Sequence, residues 1–170
     1  MTLDELVAVL ESRAAVPSED GGYSELDHGL QCAAELARLA PDDLELQLAG
    51  LVHDIGHAFG DDESHGRMGA AAVRPALGDR VARLVEGHVP AKRYLVTVEP
   101  GYASGLSAVS TVTLGHQGGE LAAGELAAFR ATPDWEAAVV LRRADDAAKV
   151  PGREVPGLTD WLPALRRAGR

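Results

Sequence analysis

Between Leu44 and Ile55 the chain is apolar at Leu44, Leu46, Leu48, Ala49, Leu51, Val52 and Ile55, and into that run it sets His53 and Asp54 side by side. The spacing predicts a helix over residues 42–58 that is apolar round most of its circumference and therefore buried. A lone carboxylate on such a helix would cost several kcal/mol, about the usual penalty for a buried charge, unless something neutralises it. His53 and His57, four apart, share one face of the predicted helix, and Asp54 lies about 100° round from His53. A divalent ion would neutralise this set directly. The alternative is that His53 and Asp54 pair with each other or cap backbone groups.

The rest of the chain reads as helices around that segment. Leu3, Leu6, Val7 and Leu10 give a first helix to about Ala14, and Val16 to Gly22 has the composition of a loop. Ser24 is a good cap for a helix to about Ala40. His65–Leu77 and Asp79–Gly87 read as two short helices parted by Gly78. Residues 90–119, broken by Pro100 and several glycines, read as short helices with loops. Glu120–Arg130, Asp134–Lys149 and Leu158–Arg167 complete the set. With 46% hydrophobic and only 4% aromatic residues, abundant Ala and Leu and no repeat, the expectation is one all-α domain over residues 1–170.

A formal charge of −10 argues against a face that binds nucleic acid or an anionic membrane. A small anion is not excluded, because a few cations can reverse the potential inside one cleft. Cys32 stands alone, so neither a disulfide nor a thiolate zinc site is expected. The opening Met1-Thr2-Leu3-Asp4-Glu5 is acidic, and no apolar stretch approaches membrane-spanning length, so the expectation is a cytoplasmic protein.

Four further ligand-type positions surround the dipeptide. His28, His53-Asp54, His65, His88 and Asp145, in that order, resemble the ligand order of the dinuclear HD-domain superfamily. His88-Val89-Pro90-Ala91-Lys92, Gln117-Gly118-Gly119 and Arg142-Arg143-Ala144-Asp145-Asp146-Ala147-Ala148-Lys149 narrow this to the HD-domain diiron oxygenases of phosphonate degradation, which are similar in fold to myo-inositol oxygenase. The resemblance covers residues 25–152. It implies an all-α HD-domain helical bundle with a dinuclear metal site, in which Asp54 bridges two metals about 3.5–4 Å apart.

The implied cofactors are two iron ions, Fe(II)/Fe(III), with dioxygen as co-substrate, though His and carboxylate ligands also suit manganese, zinc or nickel. The implied substrate is a small anionic organophosphonate bearing a hydroxyl on the carbon next to phosphorus, whose carbon–phosphorus bond breaks to release phosphate. No catalytic residue beyond the metal centre is implied. By matching motif positions, His57, Lys92, Ser110, Thr113 and Arg142 contact the phosphonate, with helix capping an equal alternative for Ser110 and Thr113. The family's Tyr-x-x-Glu, which caps the metal and reads a substrate amine, falls here on Ser18 and Gly21. Either Tyr23, Glu19, Asp20 or Glu25 replaces it, or the substrate carries no amine. His116 is expected to be exposed, and Tyr94, Phe129, Trp135 and Trp161 to be packing residues. A metal-dependent HD phosphohydrolase acting on a nucleotide or other phosphate ester, and a non-catalytic HD module, remain alternatives. Oligomeric state is left open.

Overall fold

The computed structural model describes residues 1–169, which form eight α-helices joined by loops and two 3₁₀ turns. The helices α2 (Glu25–Leu39), α3 (Leu44–Val52), α4 (His65–Val98) and α7 (Trp135–Ala147) pack on one another as the central bundle. Leu36, Leu48, Leu84, Leu141 and Val81 meet in its interior with no exposed surface. Outside it, α1 (Leu3–Arg13) and α8 (Leu158–Ala168) cover one end through Leu6, Leu10, Trp161 and Leu165. Thr2 and Ser24 start α1 and α2 with capping boxes, accepting from Glu5 and Asp27 amides while those side chains bond back. No helix of the described residues is long and apolar enough to cross a membrane.

Two expectations need correction. The predicted helix over 42–58 stops at Val52: His53 is its C-cap, Asp54 has φ −95° and ψ 5°, and Ile55–Ala58 form a 3₁₀ turn. Consecutive side chains on a continuous helix diverge by about 100°. The break lets His53 and Asp54 face one point. It is enforced by Gly56, where an added Cβ would lie 1.8 Å from the His65 carbonyl oxygen, so the turn rests backbone on backbone against the start of α4. The second correction lies in α4, which bends at Gly78 (φ 86°, ψ 177°) as its sequence predicts but runs on through Pro90 to Val98 instead of ending near Gly87. A proline inside a helix costs roughly 3 kcal/mol. Burial of Ala91, Lys92, Tyr94 and Leu95 immediately after it offsets that cost.

Between Gly101 and Gly119 lie the second 3₁₀ turn (Tyr102–Gly105) and α5 (Ala108–His116), followed by α6 (Ala123–Arg130). Ser110 is the one buried residue of α5. The helix is held by side-chain hydrogen bonds: Lys92 to Thr113, Lys149 to Ser110 and Gln117 to the Asp62 carbonyl. Tyr94, Phe129 and Trp135 form an aromatic cluster beneath α6, as packing residues should.

The close approach at Gly56 has a measurable consequence. Gly56→Ala should destabilise the protein by at least about 3 kcal/mol, the upper range for forced overpacking. Gly105→Ala, where nothing lies within 4 Å of an added Cβ, should change stability little. Urea unfolding of the two variants checks this.

Candidate metal centre

His28 comes from α2, His53 and Asp54 from the break after α3, His65 and His88 from the two limbs of α4, and Asp145 from α7. The structure brings all six together. In each of the four histidines Nδ1 lies against a backbone carbonyl: Ala148 at 2.9 Å for His28, Gly50 at 2.8 Å for His53, Asp62 at 2.8 Å for His65 and Val85 at 2.6 Å for His88. A carbonyl only accepts, so each Nδ1 carries a proton, and each ring, when neutral, presents Nε2 as a bare lone pair.

Those four Nε2 atoms converge on Asp54. Its Oδ2 lies 3.5 Å from His28 and 3.3 Å from His53, while Oδ1 lies 3.6 Å from His65 and 3.5 Å from His88. Asp145 Oδ1 adds a third candidate ligand atom to the first half, 3.1 Å from His28 and 3.7 Å from His53. Ligand atoms each about 2.1 Å from one ion are about 3.0–3.4 Å apart, so these spacings suit atoms that share a cation. Two contacts make poor sense without one. His65 and His88 point Nε2 at Nε2 across 3.0 Å, and His53 Nε2 is buried with no hydrogen-bond partner. The residues fit a two-ion centre with Asp54 between the ions. His57 stands beside the second half, its ring stacked 4.1 Å from that of His65.

The electrostatics also call for positive charge. Burial works against the Asp54 carboxylate, yet His53, His28 and His88 outweigh it and hold its pKa well below the usual range. Asp145 is held low in the same way, by Arg142, His28 and His53. Burial lowers the basicity of His28 and His53, but the neighbouring carboxylates overcome it and raise them to about 9 and about 10. His65 falls to about 4 through burial and the charge of His88.

The cluster floors a cavity of about 130 Å³ whose walls include every residue expected at the substrate: His57, Lys92, Ser110, Thr113 and Arg142. Lys92 is 2% exposed, and its ammonium donates to Thr113 Oγ1 at 2.7 Å with no carboxylate partner among the described residues. Burial and the charge of Arg142 lower its pKa to about 8. Arg142 also lines the cavity, but Nη1 donates to Asp145 Oδ2 at 2.6 Å, Nε to the Tyr102 hydroxyl at 3.2 Å and Nη2 to Asp146. Lys149, given no role above, donates to Ser110 Oγ at 2.7 Å and lies 3.3 Å from Asp20. Its spacing of seven from Arg142 put it on that side of the helix predicted to run to Lys149, but α7 ends at Ala147 and Lys149 follows its C-cap. Tyr102, from the glycine-broken stretch, carried no such signal.

Of the residues offered as replacements for Tyr-x-x-Glu, Asp20 reaches the cavity but pairs with Lys149, and Glu25 pairs with Arg13. Glu19 is exposed at the rim, and the Tyr23 ring lies 6.2 Å from that of His28. Gly21 sits at φ 81° in the loop, and His116 is exposed as expected.

Comparison with known proteins agrees with this geometry. The HD-domain family model matches residues 26–148, and the chain belongs to that family. It is 39% identical over 153 residues to the hydroxymethylphosphonate dioxygenase of Gimesia maris, covering 84% of this chain and 76% of that protein. It is 32% identical over 151 residues to the [1-hydroxy-2-(trimethylamino)ethyl]phosphonate dioxygenase (glycine-betaine-forming) of Leisingera caerulea, covering 83% and 76%. The resemblance to phosphonate oxygenases stated from the motifs is borne out.

Because Asp54 alone faces both halves, Asp54→Ala should lose both ions, whereas His88→Ala should keep one. Metal analysis after loading should find about two ions per wild-type chain, as a two-metal site requires.

Proposed function

We propose that the protein catalyses dioxygen-dependent oxidative cleavage of the carbon–phosphorus bond of a small 1-hydroxyphosphonate without a cationic substituent, hydroxymethylphosphonate being the type, in the cytoplasm. The observation that carries this reading is Lys92: a buried ammonium with no carboxylate partner, beside a two-ion donor set, calls for an anionic substrate. Both relatives named above act on phosphonates by name. For hydroxymethylphosphonate dianion, one dioxygen balances formate, hydrogen phosphate and a proton.

His28, His53, Asp145 and Asp54 would hold one iron, and His65, His88 and Asp54 the other. Iron as an Fe(II)/Fe(III) pair would supply the redox chemistry that the reaction needs. The protein's own part is placement. Lys92 and Lys149 bring charge to the phosphonate oxygens, and Ser110 and Thr113, already bonded to those ammoniums, offer hydroxyls to the same group. Arg142 closes the floor with the two N–H groups its carboxylate and tyrosine partners leave free, and His57 stands at the open side. The −10 chain thus places Lys92, Lys149 and Arg142 in one cavity, and bound metal ions would offset the carboxylates that line it with them.

Two features favour a substrate without an amine. Apart from histidines, no aromatic ring lines the cavity, and quaternary ammonium groups are held by aromatic cages. The carboxylates of Asp20 and Glu25 are already paired.

Phosphate release from iron-loaded protein should occur with hydroxymethylphosphonate, at least as well as with 2-amino-1-hydroxyethylphosphonate, and cease without dioxygen. Release from phosphate esters that continues anaerobically would establish a hydrolase instead. A preference above about 100-fold for the aminated compound, abolished by Ala at Glu19, Asp20 or Glu25, would show that the amine-reading carboxylate has moved.

Lys92→Ala should retain metal yet lower kcat/KM by roughly 10- to 150-fold, equivalent to about 1.5–3 kcal/mol for a charge-assisted hydrogen bond. The Lys92 ammonium is charged below its pKa of about 8, so wild-type kcat/KM should fall as pH rises through that value. In Lys92→Ala that alkaline fall should disappear. A pH–rate profile of both proteins measures it.

A further inference from the structure

The two oxygens of Asp145 have different partners. Oδ1 faces His28 and His53, at 3.1 and 3.7 Å, while Oδ2 accepts from Arg142 Nη1 at 2.6 Å. Arg142 is in turn gripped on its other edge. Its Nη2 donates to Asp146 Oδ1, its Nε donates to the Tyr102 hydroxyl at 3.2 Å, and that hydroxyl donates to Asp146 Oδ2. Arg142, Asp146 and Tyr102 therefore close a ring in which every bond has a charged member. One guanidinium charge is divided between two carboxylates, Asp145 and Asp146.

We propose that Tyr102 and Asp146 are positioning residues of the metal centre, whose ring with Arg142 presents Asp145 to the His28–His53 half through one oxygen only. Arg142 is 4% exposed and Asp145 3%, so neither can take replacement hydrogen bonds from bulk water. A free carboxylate could turn about its own axis and offer either oxygen, or both. With Oδ2 tied to a guanidinium that cannot itself rotate, Oδ1 alone is left for an ion. Partners behind a ligand commonly change metal affinity by about 10- to 100-fold. The ring acts on the half that contains Asp145. The His65–His88 half has no member of it, sharing only Asp54 with the other.

The inference rests on reading the His/Asp cluster as a seat for two ions, and it is tested without substrate or dioxygen. Metal-free wild type, Tyr102→Phe, Asp146→Asn and Arg142→Lys are titrated with Mn(II), with the free ion followed by electron paramagnetic resonance. Wild type should take two ions. Tyr102→Phe and Asp146→Asn should hold one ion as tightly as wild type and the other roughly 10- to 100-fold more weakly. Arg142→Lys, which cannot fork between two carboxylates, should do the same. Thermal unfolding of the metal-free proteins separates positioning from scaffolding. Tyr102→Phe should unfold close to wild type, because only a hydroxyl is removed from a partly exposed side chain.

Wild-type affinity for both ions in Tyr102→Phe would overturn the proposal, as would equal weakening of both sites with a large loss of thermal stability. If Arg142→Lys weakens one site while Tyr102→Phe and Asp146→Asn do not, Arg142 needs no ring and the proposal also fails. A wild type that takes a single ion retires the two-ion reading alone. The ring is then decided by whether that ion is bound more weakly in Tyr102→Phe.

Discussion

Four hydrogen bonds, each from a histidine Nδ1 to a main-chain carbonyl, decide what the centre of this bundle can do. Each fixes a ring's tilt and holds a proton on the side away from the cavity. Four Nε2 atoms then converge on a single carboxylate, where a metal ion would take the place of the protons that His28 and His53 otherwise hold. The carbonyls come from different places: Gly50 and Val85 lie three residues before their own histidines, whereas Ala148 is the C-cap of α7, distant in sequence from His28. The bond from His28 therefore joins α2 to α7 as it sets the donor atom.

Around that anionic floor cations stand among further carboxylates, those of Glu19, Asp20, Glu25 and Asp62. Lys92, Lys149 and Arg142 lie in the walls of one small cavity, in a chain with ten more acids than bases. The three cations are occupied differently. Arg142 is committed to two carboxylates, Lys149 to Asp20 and Ser110, and Lys92 to a lone hydroxyl. Lys92 thus has the greatest unmet demand for an anion. Its partner Thr113 lies on α5, a helix with almost no apolar anchoring, so the wall above the metal floor is held by polar groups that the substrate itself would contact.

That these residues gather was legible in the sequence because candidate metal ligands combine distinctive residue types with an order along the chain that resembles the HD-domain pattern. His28, His65, His88 and Asp145 needed no contact map, only their order around His53-Asp54. The local path was less legible. Periodicity carried the third helix through Ala58, because Ile55 and Ala58 continue the apolar pattern. The break after Val52 depends on Gly56 meeting the His65 backbone, a contact between segments that no local window contains. Likewise the helix was expected to end at Gly87, and burial of the residues beyond Pro90 carried it on. Lys149 had a helical-spacing signal that was given no substrate role. Tyr102 had none, since a tyrosine among glycines shows nothing of a partner on α7.

The glycines at the ligand segments set a different kind of limit. An added Cβ at Gly29, next to His28, would lie 2.5 Å from the Leu51 carbonyl oxygen, and one at Gly50 would lie 2.5 Å from the Leu36 side chain. With Gly56 against His65 and Gly29 against Leu51, two crossings near the cluster are made at main-chain contact. Rotamer changes can adjust distances set by side chains, but not distances set by two backbones touching. The gap between the two halves is accordingly a property of the scaffold rather than of the ligands that line it. Exchange of one ligand type for another would alter charge and electron donation at an almost constant spacing, so the same frame can be retuned for different metals without being rebuilt.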